Sequence, residues 1–370
     1  MLRIKNHINH VDIPSMQTAY MWLDFNETEY EFVDEGPVDI LLQSVPAYPD
    51  QITHDVDATV HIYIDLKHTT DDKINGWCQH NWVKFNELPN WYILTECSDP
   101  TINDPHILSN LFIFNRSKAY YSNRKFKNDS HRWYYRDPGD FELQPISSAN
   151  DKQYVYLSPS KPSRPNLIYR NKLVELLYKK YPNLGYIGNL IGPFLDSAGK
   201  HSFSGQGLCP NGCSPDATKV VDIADQDNAT KVWKGRYAPV HNAYYNETFI
   251  SVYGETNEIG TTQIVTEKTY DPLIKGHFIL PFSTPGFIDL VKSQGFRLPE
   301  FINYDYDSIS DHDQRWQAYQ QELERLINLD MATWQQHWVD NLDILHYNRQ
   351  LFTERDYDRI DLNKLLEKHR

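Results

Sequence analysis

The chain has 370 residues, 40% of them apolar and 23% charged, enough for two globular domains with real cores. Acidic residues outnumber basic ones by 50 to 36, a formal net charge of −14. That balance excludes a basic nucleic-acid packaging protein and a polybasic membrane-surface protein, though a local basic cleft stays open. No run of about 18 apolar residues could span a membrane. The opening Met1–Met16 lacks the apolar stretch and cleavage site of a secretion signal, so a cytoplasmic location is expected. The cysteines, Cys78, Cys97, Cys209 and Cys213, are too few and too scattered for a disulfide framework. Aromatic side chains are abundant, with 25 Tyr, 16 Phe and 9 Trp. They suit both cores and polar binding clefts, because Tyr and Trp carry a hydrogen-bonding end.

In chain order, Val38–Ser44, Ala58–Asp65, Trp91–Glu96 and Asn110–Asn115 read as strands separated by turn residues. Their near-continuous apolar character suits strands covered on both faces, as in a parallel sheet. The polar Asp137–Asp151 stretch, with Pro and Gly, reads as a linker between domains. A strand over Gln153–Ser158 follows, then a loop and an amphipathic helix over 166–180, with Tyr169, Leu173, Leu176 and Leu177 on one stripe. Leu184–Gly188 is the next strand and completes a β-α-β unit with parallel strands. Residues 192–233 have no clear period and read as a functional loop or insertion. Regularity resumes with strand Thr248–Tyr253, helix 266–275, strand His277–Pro281, and helix Phe287–Gln294 closed by Gly295. Trp316, Tyr319, Leu323, Leu326 and Ile327 form a further helical stripe, and two more helices are expected after it.

Ligands of open α/β sheets bind beyond the carboxyl ends of strands. There the segment from Phe249 to Pro272 stands out: a strand runs into Glu255, Thr256 and Asn257, and Thr266, Glu267 and Lys268 open a helix. Thr266 is the expected N-cap, the free N–H groups of the first turn attract an anion, and Lys268 adds a point charge for a phosphate. Glu255 or Glu267 could accept from ribose or sugar hydroxyls. An ordinary capped helix with solvated charges would show the same pattern.

The segment resembles the donor-binding signature of fucosyltransferase-like glycosyltransferases (family 10), in which a strand ends in Phe-Glu-Asn-Ser and Tyr-Val-Thr-Glu-Lys follows. Glu255 stands at the signature's first Glu, and Val265 to Lys268 match its end. Upstream, Tyr154–Ser158 and the Arg170-Asn-Lys helix resemble the family's preceding strand and helix. The resemblance implies Arg170 as the arginine on the donor diphosphate, with Arg164 as a second candidate. In the first half, Trp91–Cys97 followed by Leu111–Phe114 resembles the family's strand ending in Glu, which implies Glu96 as catalytic base and Asp65 as runner-up. The sequence departs from the signature at Tyr253–Asn257 and at Ile264, so sugar and nucleotide base stay open. Phage-encoded glycosyltransferases look similar, which implies a viral source.

Cys209 and Cys213 with His201 could supply half a zinc site, but no second Cys/His pair with suitable spacing follows, and loop cysteines without a metal are the expectation. Ser122–Arg136 mixes Arg124, Lys125, Lys127, Arg132 and Arg136 with Phe126, Trp133, Tyr134 and Tyr135. That mixture suits phosphate contact with base stacking, or an acceptor loop for sugars, or a solvated face. Arg124, Trp133 and Tyr134 are the acceptor candidates.

The resemblance and the α/β pattern together imply a GT-B fold: two Rossmann-like α/β domains facing a central cleft, with C-terminal helices. The expected divisions are an acceptor-side domain over 1–145, a nucleotide-sugar domain over 150–310, and a helical segment over 311–370 packing back across both. The expected activity is transfer of a sugar from a GDP- or UDP-sugar to an acceptor hydroxyl, inverting, with no metal or other cofactor. The acceptor is a glycan or another hydroxylated molecule. The alternatives are glycosylation of hydroxymethylated bases in viral DNA, and a non-catalytic module that binds nucleotide sugars or glycans.

Overall fold

A computed structural model describes residues 1–6, 22–23, 29–44, 58–65, 90–95, 111–113, 145–159, 168–188, 220–221, 242–261, 263–354 and 362–369. Two parallel sheets organise them. The first joins β1 (Leu2–Asn6), β2 (Tyr30–Phe32), β3 (Val38–Ser44), β4 (Ala58–Asp65), β5 (Trp91–Thr95) and β6 (Leu111–Ile113) in the order β2-β1-β3-β4-β5-β6. Register pairs Ile4 with Ile40, Ile40 with Val60, and Ile62 with Tyr92. Alternate residues therefore share one face, and that face is a single buried cluster of Leu2, Ile4, Ile40, Leu42, Val60, Ile62, Tyr92 and Leu94.

The second sheet joins β7 (Tyr154–Ser158), β8 (Gly185–Gly188), β9 (Val220–Val221), β10 (Thr248–Gly254) and β11 (Phe278–Phe282) in the order β11-β10-β7-β8-β9. All its pairings are parallel. The chain moves outward from β7 to β8 and β9, then returns to the other side of β7 with β10 and β11. Strand order therefore reverses between β7 and β10, and the gap beyond their carboxyl ends is the sheet's switch point. Every residue of β10 and β11 is buried, which is why both read as near-continuous apolar runs instead of alternating ones.

Helices cover this sheet on both faces. Against Tyr156, Ile250, Val252, Leu280 and Phe282 lie α1 (Ile168–Lys180), α5 (His312–Ile327) and α6 (Met331–Asp340), through Leu173, Leu177, Trp316, Tyr319, Trp334 and Trp338. Against Tyr253 and Ile279 lie α3 (Glu267–Ile274) and α4 (Phe287–Ser293), with Leu351 of α7 (Leu342–Glu354) behind them. The short α2 (Asn242–Glu247) leads into β10. Helix α3 stops at Gly276, whose φ of 71° suits glycine, and a Cβ there would meet Ile146 at 2.6 Å.

Beneath the sheet, at the amino ends of its strands, Lys152 and His277 are buried together. The Lys152 ammonium donates to the carbonyls of Tyr245 (3.1 Å) and Thr248 (2.6 Å) and sits 3.7 Å from the Trp338 ring centre. His277 Nε2 lies 2.6 Å from the Thr248 carbonyl and Nδ1 lies 2.9 Å from the Ser251 hydroxyl, a pattern that fits a neutral ring protonated on Nε2. Burial, with the Lys152 charge beside it, pushes His277 well below its ordinary value.

Strand β11 is the outermost strand of its sheet. It carries Pro281, which has no N–H to offer. Its carbonyls at Ile279 and Pro281 accept from the hydroxyls of Tyr304 (2.9 Å) and Tyr306 (2.7 Å), and Tyr319 reaches the Leu280 carbonyl at 3.1 Å.

The mixed α/β layout with two parallel sheets agrees with the expected fold class. Differences are local. The strands β1 and β2, the two-residue β9 and the six-residue α2 are additions to the sequence reading. After α5 come three helices among the described residues, α6, α7 and α8 (Leu362–Glu367), where two were expected. A single residue divides α6 from α7: Asn341, whose side-chain amide turns back to the His337 carbonyl at 2.8 Å. Leu362 and Leu366 of α8 are buried in the core of the first sheet, and His369 Nε2 lies 2.7 Å from the Tyr92 hydroxyl. No helix among the described residues is long and apolar enough to cross a membrane.

Candidate functional site

The site begins where β10 ends. Gly254 closes the strand, and a Cβ at this position would lie 2.5 Å from Glu258 Oε1 and 3.0 Å from Arg170 Cβ. Glycine lets α1 and the Glu258 carboxyl approach the strand end this closely.

The next residue, Glu255, is fully buried. Its Oε1 accepts from the Thr266 N–H (3.0 Å) and the Thr269 hydroxyl (2.7 Å). Its Oε2 accepts from the Thr266 hydroxyl and the Thr256 N–H, at 2.7 and 2.8 Å. The Tyr253 hydroxyl in turn donates to Thr269 Oγ1 at 2.8 Å. One carboxylate thus ties the end of β10 to the first turn of α3, and each donor in the group has its acceptor. As the sequence suggests, Thr266 is the N-cap, accepting from the Lys268 N–H at 3.3 Å.

Two arginines hold the loop from the other face. Arg170 of α1, only 5% exposed, donates from Nε to the Gly254 carbonyl (3.1 Å) and from Nη2 to the Glu255 carbonyl (2.6 Å). Arg315 of α5, with no exposed surface, donates from Nη2 to the Glu258 carbonyl at 3.0 Å and from Nη1 to the Ile309 carbonyl at 2.8 Å. Glu258 completes the loop: its Oε2 accepts from the Tyr169 N–H at 3.0 Å, in the first turn of α1. Desolvation raises the Glu258 carboxyl to about 7, with Arg170 and the helix N–H groups pulling the other way. The loops after β10 and β11 are stitched together by Ser283 Oγ to the Asn257 carbonyl (3.0 Å) and Gln263 Nε2 to the Pro285 carbonyl (2.7 Å).

Half-buried residues of the loop and helix start are Thr256, Asn257, Ile259, Gly260, Thr261, Glu267 and Lys268, and the polar candidates among them are Thr256, Asn257, Glu267 and Lys268. The Lys268 ammonium pairs with Glu267 Oε1 at 2.8 Å and lies 3.3 Å from Thr266 Oγ1. Burial works to raise the Glu267 carboxyl, but the Lys268 ammonium beside it prevails and holds it below the usual range.

Of the sequence candidates, the structure brings together Arg170, Glu255, Thr256, Asn257, Thr266, Glu267 and Lys268 around this loop. Within the group, Glu255, Thr266 and Arg170 spend their polar atoms on the protein itself, and Thr256, Asn257, Glu267 and Lys268 line its partly exposed side. Asp65 ends β4, in register with Thr95 of β5, the residue before Glu96. Glu96, Arg164, Arg124, Trp133, Tyr134, Cys209 and Cys213 lie outside the described residues. Sequence reasoning missed Glu258 and Arg315. The available signal for Arg315 was an arginine on the apolar stripe of α5, four residues before buried Tyr319.

No protein-family model matches the chain, and no curated protein matches it. Among solved structures, this one is similar to a crystal structure of an alpha1,3-fucosyltransferase. The TM-score is 0.43 and the identity 12%, over 92% of this chain and 80% of that one.

Proposed function

We propose that this protein is a glycosyltransferase that takes a sugar from a nucleotide-activated donor and passes it to an acceptor hydroxyl. What supports this reading is that the signature-like segment from Glu255 to Lys268 lies at the carboxyl end of β10, beside the switch point of a parallel sheet. In this reading Lys268 takes the diphosphate of a GDP- or UDP-sugar, with Arg164 as a second cation, because the N–H groups of Thr266 and Lys268 at the start of α3 are already given to Glu255 and to the Thr266 hydroxyl. Glu267, Thr256 and Asn257 take ribose or sugar hydroxyls. Glu255, Thr266 and Arg170 act one layer below, fixing the loop that carries those groups. The displacement is inverting and metal-independent. Glu96, with Asp65 as the alternative base, removes the acceptor proton while the cations stabilise the leaving diphosphate. A glycan or another hydroxylated acceptor lies against Arg124, Trp133 and Tyr134, and the reaction belongs to a cytoplasm, that of the host if the source is viral.

The basic and aromatic run Ser122–Arg136 favours a second acceptor reading, the hydroxymethylated bases of viral DNA. A non-catalytic nucleotide-sugar module is the rival from another class. A thermal-shift panel of nucleotide sugars on wild type and Lys268→Ala tests the donor site, since ligand at 100 times its dissociation constant adds about 2.7 kcal/mol. Stabilisation of wild type alone supports the reading, and no shift with any nucleotide sugar overturns it. Binding with neither hydrolysis nor transfer to glycan or hydroxymethylated DNA would leave the module.

A further inference from the structure

We infer that Glu258 is a positioning residue that takes up a proton when the anionic donor binds, so that donor affinity falls as Glu258 ionises. This rests on the donor reading above and adds to it a residue that the signature does not contain.

The geometry is that of a carboxylate held with half its capacity unused. Glu258 is 2% exposed, and its Oε1 has no hydrogen-bond partner among the described residues. Its Oε2 is anchored on the first turn of α1, and its carbonyl is anchored on Arg315 of α5. The side chain is therefore held by α1 and its backbone by α5, within the loop that also carries Glu255, Thr256 and Asn257. A buried carboxylate oxygen without a donor is costly when ionised, whereas the protonated acid carries one charge fewer into the same space.

The groups facing Glu258 decide the sign. From α1 come the Arg170 guanidinium, already donating to the Gly254 and Glu255 carbonyls, and the Tyr169 backbone. From α5 come Arg315, which also donates to the Ile309 carbonyl, and Tyr319, whose hydroxyl is committed to the Leu280 carbonyl. From its own loop comes the Glu255 carboxylate, filled by its four donors. Two carboxylates thus share a short loop with Arg170, which donates to two of the loop's carbonyls, and Arg315, which donates to carbonyls, lies 2.9 Å from His312 Nδ1 and keeps a buried Nε without a partner among the described residues. A diphosphate arriving at Lys268 adds negative charge to that loop. Protonation of Glu258 from solvent is the adjustment that keeps the charge matched, and the group lies close enough to neutrality for it. No covalent bond to the ligand is made or broken: one proton passes from buffer to the carboxylate.

The test is isothermal titration calorimetry of GDP- and UDP-sugars into wild type and Glu258→Gln between about pH 6 and about pH 8, in buffers of different ionisation heat. Nucleotide sugars are the proper probe because their diphosphate diester keeps one charge state across that range. The expected wild-type affinity drops about ten-fold across the range, with net proton uptake on binding, while Glu258→Gln is flat and binds more tightly at the alkaline end. Wild-type binding without pH dependence or proton uptake overturns the inference and leaves the donor reading standing, as does an unchanged slope in Glu258→Gln. Should the variant fail to fold, the wild-type proton count decides, zero uptake being fatal. No binding by folded wild type at any pH removes the donor reading and this inference with it.

Discussion

Replacing Glu255 by Gln keeps the side chain's size but puts an NH2 group where the carboxylate faces only donors, from Thr256, Thr266 and Thr269. Glu255→Gln should therefore lose about 1–3 kcal/mol in urea unfolding, the cost of an unsatisfied buried polar group. Lys268→Ala should behave in the opposite way. Its side chain is 14% exposed and pairs with a Glu267 side chain that is 35% exposed, so stability should change by less than about 1 kcal/mol. If Lys268 meets a phosphate, donor affinity should fall by about ten-fold or more, the worth of a charge-assisted hydrogen bond. Urea unfolding and donor titration on the two variants separate the residue that builds the site from the one offered to ligand. Both were visible in the sequence, because a strand, a polar loop and a Thr-capped helix are local patterns. Glu258 and Arg315 were not. The bond between Arg315 and the Glu258 carbonyl joins residues 57 positions apart, and no short window of sequence contains it.

At the scale of elements, legibility followed burial. Val38–Ser44 and Ala58–Asp65 are legible with their observed ends, and β10 and β11 to within a residue, because parallel strands are near-continuously apolar. Three-residue β2 and six-residue α2 are too short for any periodicity to rise above turn residues. Beside the first sheet, α8 shows how a distant element enters a core. Two leucines, Leu362 and Leu366, one helical turn apart, join strands that begin at Leu2. Leu366→Ala should lower stability by about 2–5 kcal/mol, as for other buried leucines. Hydrogen exchange should report that loss in β1 to β5 more than in β7 to β11. An equal loss of protection in both sheets would mean that they open as one unit.

For the whole molecule, buried acids and a buried base set opposite limits on stability. Burial raises Glu258 from 4.5 to about 7 and Asp307 from 3.8 to about 6. Each keeps its proton in the folded chain after the unfolded chain has lost it, so their contribution is full at low pH and is lost as pH rises to about 6–7. His277 is lowered, so the unfolded chain gains a proton below 6.5 that the folded chain refuses, and stability is lost as pH falls. Glu258 and Asp307 should each pull the urea midpoint down as pH rises to about 6–7, against the upward pull of His277 and of Lys152, which burial also lowers. Glu258→Gln should remove about 3 kcal/mol of the decline on the alkaline side, the equivalent of its displacement from 4.5 to about 7. The tyrosines beside β11 bear on how copies of the chain meet. With Tyr304 and Tyr306 on its outer carbonyls and a proline within it, this border offers an incoming strand neither free acceptors nor a full set of donors. Edge-to-edge pairing of folded chains along β11 is therefore disfavoured, which leaves helix surfaces as the better ground for contact on that side. Tyr306→Phe, which keeps the ring and removes one oxygen, is the smallest change that would bare the Pro281 carbonyl and reopen the edge.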